Sequence, residues 1–349
     1  MNGENVRGFL SRNEIIKRMI IGEALIYSYC KSDNGSKCSK EVLDELNKIK
    51  DDLIECLKKW LLEQSKGENK KEASKEKALK EYLKKLESCR GFLCERRRII
   101  KELVGRYFKE SMKKDGIINE DEVIKHIKDD IKGIKDIEGI LEYLIQKNKF
   151  KFPIFFDNPC YKCIREANYD LRLGEEVYVT SEKVPKKLNT REGENVVSIE
   201  PGEFGILMSF EYIFIPPDIV GFISVRLTFK QRGLVNISGF HVDPGFYGRI
   251  MFAVYNAGPN DVPLRYKERV FMIMFSVLTD SKIKIEESRW HGMVSIPIET
   301  IAGLRGTSVS PRNLHERIRR LEVMVPVIVT LFVTVIGAIV AWILSQLSK

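Results

Sequence analysis

The spacing of apolar residues divides the chain into stretches of different period. Near the start, Ser11 and Glu14 stand three apart ahead of Ile15, Ile16, Met19 and Ile20, a capping box opening a short helix within residues 1–35. Between 38 and 150 apolar positions recur at helical spacing. Val42, Leu46, Ile49, Leu53, Cys56, Leu57 and Trp60 make one stripe, and Leu79, Leu83, Leu86, Leu93, Ile100, Leu103 and Tyr107 a second. A third runs through Val123, Ile127, Ile131, Ile134 and Ile137 to Leu144, opened by a capping box at Asn119 and Glu122. A polar break from Ser65 to Ser74 separates the first two stripes. This pattern predicts three or four helices packed as a small bundle or hairpin, without the sustained heptads of a long coiled coil.

From 151 to about 290 the period shortens to that of strands. Residues 169–179, 196–215, 249–255 and 269–275 have strand composition, and turns are marked by Pro216-Pro217-Asp218, Asp243-Pro244-Gly245, Gly248 and Gly258-Pro259. Many short strands with no helix long enough for a crossover exclude a doubly wound sheet and predict a compact all-β unit. Residues 291–323 read as an irregular linker that ends in a short amphipathic helix from Asn313, with Leu314, Ile318 and Leu321 at heptad-like spacing. The segment VPVIVTLFVTVIGAIVAWIL, from Val325 to Leu344, is 20 residues without a charge and is long enough to cross a bilayer, within a predicted span of 324–345. Arg317, Arg319 and Arg320 precede it and Lys349 follows, so the folded part is expected on the cytoplasmic side of a cell membrane. Residues 1–18 lack the apolar core of a signal peptide.

Composition adds bounds to this picture. A chain of 349 residues with 44% hydrophobic content has room for about two domains and is not disordered. The net charge of +9 is spread along the chain. It permits attraction to anionic lipid or phosphate, but Arg96-Arg97-Arg98 lies on a helix without interleaved aromatics, so no nucleic-acid partner is expected. The 7 cysteines stand at 30, 38, 56, 89, 94, 160 and 163. Pro159-Cys160-Tyr161-Lys162-Cys163 is half of the zinc nucleobase-deaminase signature, whose other half, H-x-E, occurs nowhere in the chain. Zinc would need two further ligands, so a metal pair, a disulfide and two plain thiols all stay open for Cys160 and Cys163. An odd cysteine count fits a reducing compartment.

Several motifs in order then carry a resemblance. Tyr169-Asp170-Leu171-Arg172-Leu173-Gly174, Ile199-Glu200-Pro201-Gly202-Glu203-Phe204, the segment from Glu211 to Arg226, and Val242-Asp243-Pro244-Gly245-Phe246-Tyr247-Gly248 are similar to motifs of the zinc-free dCTP deaminase and dUTPase family, as is the opening helix at Leu10 to Ile16. The resemblance implies a dUTPase-like β domain, and with the helical stripes and the uncharged span the expected chain is α+β. Its parts are a dUTPase-like distorted jelly roll (β-clip) at 151–290, an inserted α-helical domain at 38–150 that is this chain's own addition, and one C-terminal transmembrane helix. It also implies a homotrimer with deoxynucleotide sites between neighbouring subunits.

By the same resemblance the family's general acid/base, a glutamate, falls at Ala253. An alanine cannot transfer a proton, a service worth about 10²- to 10⁴-fold. Positions that help hold water, phosphate and nucleotide in the family have become Leu227, Gln231 and Met272. Arg226, Thr228, Lys230, Arg232 and Asp243 remain as nucleotide-binding candidates, the cationic ones through charge-assisted bonds to phosphate. Asp243 equally suits closing its own turn, and Arg226 a subunit contact. No metal or other cofactor is expected, magnesium entering only with a nucleotide. The expected function is a membrane-anchored, catalytically degenerate homotrimeric scaffold or deoxynucleotide sensor. The alternative is an active dCTP deaminase or dUTP diphosphatase of pyrimidine deoxynucleotide metabolism. The insert is either a partner-binding arm or a decoration that widens a subunit contact.

Overall fold

The computed structural model describes residues 8–31, 38–62, 68–111, 118–147, 150–182, 184–188, 195–279, 291–302 and 311–347. Its first element, α1 (Arg12–Lys31), carries apolar residues all round with Arg18 and Glu23 among them, and every residue from Arg18 to Cys30 is buried. Such a helix must be enclosed. It packs on one side against the helical insert and on another against the first strand of the β part. The N–H of Glu14 donates to Ser11 Oγ at 3.4 Å, which starts the helix.

The insert contains five helices among the described residues, more than the stripes predict. They are α2 (Lys40–Leu57), α3 (Glu68–Ser88), α4 (Arg90–Val104), α5 (Glu120–Ile131) and α6 (Lys135–Gln146). The second stripe spans α3 and α4, which break at Cys89. The third spans α5 and α6, which break at Gly133, where φ is +84°. Apolar spacing continues across both breaks, so periodicity alone hides them. The polar break is also shorter than expected. Residues 68–74 are helical, their Lys, Glu and Ala having high intrinsic propensity without a stripe to reveal it, and 63–67 lie outside the described residues. Asn119 occupies the cap position of α5 but makes no side-chain cap bond. Ser39 caps α2 by accepting from the Val42 N–H at 3.3 Å.

The β part contains β1 (Phe155–Phe156), β2 (Tyr169–Val179), β3 (Lys186–Lys187), β4 (Val196–Ile199), β5 (Phe204–Phe214), β6 (Ile219–Val225), β7 (Leu234–Asn236), β8 (His241–Val242), β9 (Tyr247–Asn256), β10 (Val262–Arg265) and β11 (Arg269–Val277). The stretch 196–215 is therefore two strands, parted at Gly202, where φ is +75°. Nine strands form an antiparallel sheet in the order β7-β9-β5-β2-β11-β6-β8, with β1 on β5 and β3 on β2, while β10 and β4 pair separately. The sheet curls over its own core. Phe252 of β9 and Phe271 of β11, on strands that are not neighbours, stack at 3.8 Å.

Helical and β parts share one continuous apolar core. Buried ion pairs cross the seam. Arg96 of α4, with no exposed side chain, is held by Glu23 of α1 at 2.7 and 2.8 Å and donates to the carbonyls of Phe156 and Asp157. Arg18 grips Asp218 at 2.6 Å and the Phe152 carbonyl at 2.9 Å. Gly22 lets α1 approach β1 closely, since a Cβ there would lie 3.0 Å from the Ile154 carbonyl oxygen.

Two short helical elements remain, α7 (Leu227–Lys230) and α8 (Ile298–Ala302), followed by α9 (Pro311–Leu347). The linker helix and the apolar span, expected as separate pieces, are this one continuous helix of 37 residues, with Pro326 inside it. Residues 317–344 have a mean hydropathy of 2.8 over their most apolar window, none of it buried, and are long and apolar enough to cross a membrane. The side chain of Leu314 lies outside the described residues.

Candidate functional site

Strand alternation sets which face each candidate takes. In β9, Phe252, Val254 and Asn256 point into the core, and Met251, Ala253 and Tyr255 point the other way. Ala253 pairs with Ile206 of β5, and Met251 with Met208. That face carries Tyr178, Ile206, Met208, Ile296 and Ile301, with Phe204, Met251 and Met293 packed against them, an apolar and aromatic cluster throughout. The cover comes from the residues after the β part. Gly292 N–H donates to the Tyr247 carbonyl at 2.6 Å, and Arg249 N–H to the Met293 carbonyl at 2.8 Å, which lays Met293, Ile296 and α8 across the sheet. Glu176 of β2 lies at the margin of this cluster, and its carboxylate accepts the Ile296 N–H at 3.0 Å.

Arg226 closes β6 and is held in place rather than presented. Its guanidinium donates to the Arg269 carbonyl at 2.9 Å and lies 3.5 Å from Asp170. Asp170 is buried and also meets Arg165 at 3.0 Å and Arg269 at 3.7 Å. Three guanidinium groups thus surround one carboxylate, leaving local positive charge in excess. Met272 of β11 pairs with Asp170 on one side and Ser224 on the other, so a thioether sits beside this cluster.

From Arg226 the chain turns through α7, which exposes Thr228 and Lys230, and Arg232 follows with its guanidinium 5.6 Å from the Phe229 ring. Gly233 fixes where this segment goes. Its φ is +101°, and a Cβ there would lie 2.3 Å from Gly258, so α7 is tied to the turn that ends β9. Asp243 is elsewhere. It follows β8, whose Val242 pairs with Gly221 at the far end of β6, placing Asp243 about 20 Å from Arg226 at about 3.3 Å per residue. Its exposed carboxylate lies 3.3 Å from His241, and its carbonyl accepts the Phe246 N–H at 3.1 Å to close the turn. Within one chain, then, the five candidates form a group of four along 226–232 and a separate aspartate.

A second charged centre escaped the motif reading. Glu211 is fully buried on β5, receives the Arg172 N–H at 2.9 Å and pairs with its guanidinium at 2.6 Å. Burial pushes this carboxyl up to about 7 against the pull of Arg172. The Arg172 guanidinium also donates to the Asn158 carbonyl at 2.7 Å, beside the Cys160 turn. Arg172 and Asp170 lie in one quoted motif and Glu211 and Arg226 at the ends of another, but nothing in their spacing marks them as partners. Among the described residues, no three His, Cys, Asp or Glu side chains gather as a metal site.

The sequence profile of the dCTP deaminase-like family (DCD) matches residues 156–278. A dCTP deaminase of Pyrococcus abyssi is 36% identical over 112 residues, 32% of this chain and 69% of that protein. The chain belongs to the dCTP deaminase-like family. Another dCTP deaminase, from Thermococcus sibiricus, is 30% identical over 137 residues, 39% of this chain and 84% of that protein. The crystal structure of 2'-deoxycytidine 5'-triphosphate deaminase from Agrobacterium tumefaciens aligns with a TM-score of 0.31 and 14% identity, covering 40% of this chain and 47% of that one. The family match stops short of α2 to α6 and of α9, which lie outside residues 156–278. Inside it, Ala253 is partly exposed, on the β9 face that also carries Met251.

Proposed function

We propose that this protein is a membrane-anchored, homotrimeric member of the dCTP deaminase-like family that has lost deaminating chemistry and serves as a scaffold able to sense a deoxynucleoside triphosphate. What supports this reading is Ala253, an alanine where the motif alignment expects the base, with Ile206, Met208 and Met251 of the same sheet face joined to Ile296 and Ile301 in an apolar cluster. A trimer agrees with the separation of Asp243 from the 226–232 group, because neighbouring copies would complete a site that one chain leaves divided. It also agrees with the aromatic row Phe9, Phe222 and Phe240 along the β6–β8 edge, with Phe9 56% and Phe240 65% exposed. The excess positive charge around Asp170, with Lys230 and Arg232, suits a triphosphate, and magnesium would arrive with that ligand. Residues 325–344 anchor the chain, with the arginines before them on the cytoplasmic side.

The test uses the full-length protein in detergent, incubated with dCTP and with dUTP in the presence of magnesium. Products are separated while binding is titrated by equilibrium dialysis and mass is measured by sedimentation. Binding to a trimer without turnover is expected. Formation of dUTP, dUMP or diphosphate above background would overturn the reading and make Glu176, the carboxylate bordering the Ala253 face, the replacement base to examine. Absence of both binding and turnover would remove the sensing role.

A further inference from the structure

We propose that Cys160 and Cys163 form a redox-active dithiol that exchanges with organic disulfides, Cys160 as the attacking sulfur and Cys163 as the resolving one. The Cys163 N–H donates to the Cys160 carbonyl at 3.1 Å, closing a four-residue turn. Such a turn brings its end Cα atoms within about 7 Å, and disulfides span about 4.4–6.8 Å between Cα atoms. Each thiol is the largest single influence on the other. They differ in access, since Cys160 is half-buried and Cys163 has no exposed surface.

The turn is held from several sides. The Cys160 N–H donates to Tyr169 Oη at 3.0 Å, Arg172 donates to Asn158 O at 2.7 Å, and Arg269 donates to Lys162 O at 2.8 Å. This rigid frame also sets the electrostatics. The Cys163 thiol first, then Arg172 and the N–H groups of Cys163 and Lys162, push Cys160 down to about 6 despite burial. Cys163 is pushed up, first by the neighbouring Cys160 thiol and then by burial. Tyr169 and Glu211 are the other titratable groups coupled to the pair. An accessible thiolate beside a buried thiol is the division of labour that exchange needs.

The Cys160 thiolate attacks one sulfur of a disulfide RSSR, and the departing RS⁻ takes a proton from solvent. Cys163 then gives its proton to solvent and attacks Cys160 Sγ, displacing the second RS⁻, which is protonated in turn. Two protein thiols are oxidised to one disulfide, and RSSR is reduced to two RSH. Cys30 and Cys38, with sulfurs 2.7 Å apart, are a useful comparison, because both are buried and offer no accessible attacking sulfur.

Full-length reduced protein in detergent would be treated with oxidised glutathione, blocked with iodoacetamide and digested with trypsin. Cleavage after Lys151, Lys162 and Arg165 separates the two cysteines, so an intramolecular disulfide appears as peptide 152–162 joined to peptide 163–165. That linked pair is expected, together with alkylation of reduced Cys160 at pH 7 at least ~10-fold faster than of Cys163. The Cys160 rate should rise as pH passes about 6. Cys163→Ser should trap glutathione on Cys160, and Cys160→Ser should leave Cys163 unmodified. Absence of the linked peptides from the wild-type digest, which depends on no variant folding, overturns the proposal, as does equal alkylation of the two thiols.

Discussion

Glu23 and Arg96 provide a quantitative test of how the helical insert is joined to the β part. Glu23→Leu would leave the Arg96 guanidinium buried with only the carbonyls of Phe156 and Asp157, and would also strip Tyr82 Oη of its acceptor at 2.7 Å. Breaking a buried pair by removing one partner costs about 3–5 kcal/mol. At roughly 2 °C per kcal/mol for a large chain, melting should fall by roughly 6–10 °C. Arg96→Met should cost a similar amount, by stranding the Glu23 carboxylate. The double variant removes both charges, and replacing a buried pair with apolar groups is often close to neutral, so its loss should be no larger than that of either single variant. Differential scanning fluorimetry on full-length protein in detergent, with limited proteolysis of the insert, gives all the terms of the cycle. Single variants melting within about 1 °C of wild type, or a double variant equal to their sum, would refute a desolvated coupled pair at the seam.

Three further outcomes are expected. The Glu211 carboxyl is raised from 4.5 to about 7, so the native state binds the extra proton between those values and its stability should fall as pH rises through that window; Glu211→Gln should flatten that slope in pH-dependent melts. Gly233→Ala forces a Cβ into the backbone of Gly258 at φ +101°, and should cost at least about 2 kcal/mol in denaturant titrations and loosen α7. Val333→Asp with Ile336→Asp places two carboxylates in the apolar span at about 2.5–3.5 kcal/mol each, and should release the protein from membranes on carbonate extraction.

The β part was legible because its turn residues are chemically specific. Pro216-Pro217-Asp218 and Asp243-Pro244-Gly245 punctuate the strands where the sheet turns. The helical part was legible as a layer but not as a helix count, because the apolar stripe passes through Cys89 and Gly133 without losing phase. Arg96-Arg97-Arg98 is the clearest case of hidden long-range order. One local run places Arg96 against Glu23, 73 residues away, Arg97 against Asp157, and Arg98 on the exposed face between Glu95 and Glu102. Motif alignment could locate Ala253 but not the apolar cluster on that face of the sheet, since Met293, Ile296 and Ile301 join it from beyond β11. Asp170 stood in a quoted motif as a fold marker. Its three arginine neighbours come from different elements, so their convergence has no sequence spacing.

The single helix α9 also sets a length. At about 1.5 Å per residue, the rod from 311 to 324 extends roughly 20 Å before the uncharged stretch begins, and a hydrocarbon layer of about 30 Å absorbs the next 20 residues. Pro326 falls at the start of the uncharged stretch, where it removes one backbone hydrogen bond of the helix and marks the place for a bend. The length before the uncharged stretch is thus about two thirds of the hydrocarbon thickness that stretch could span.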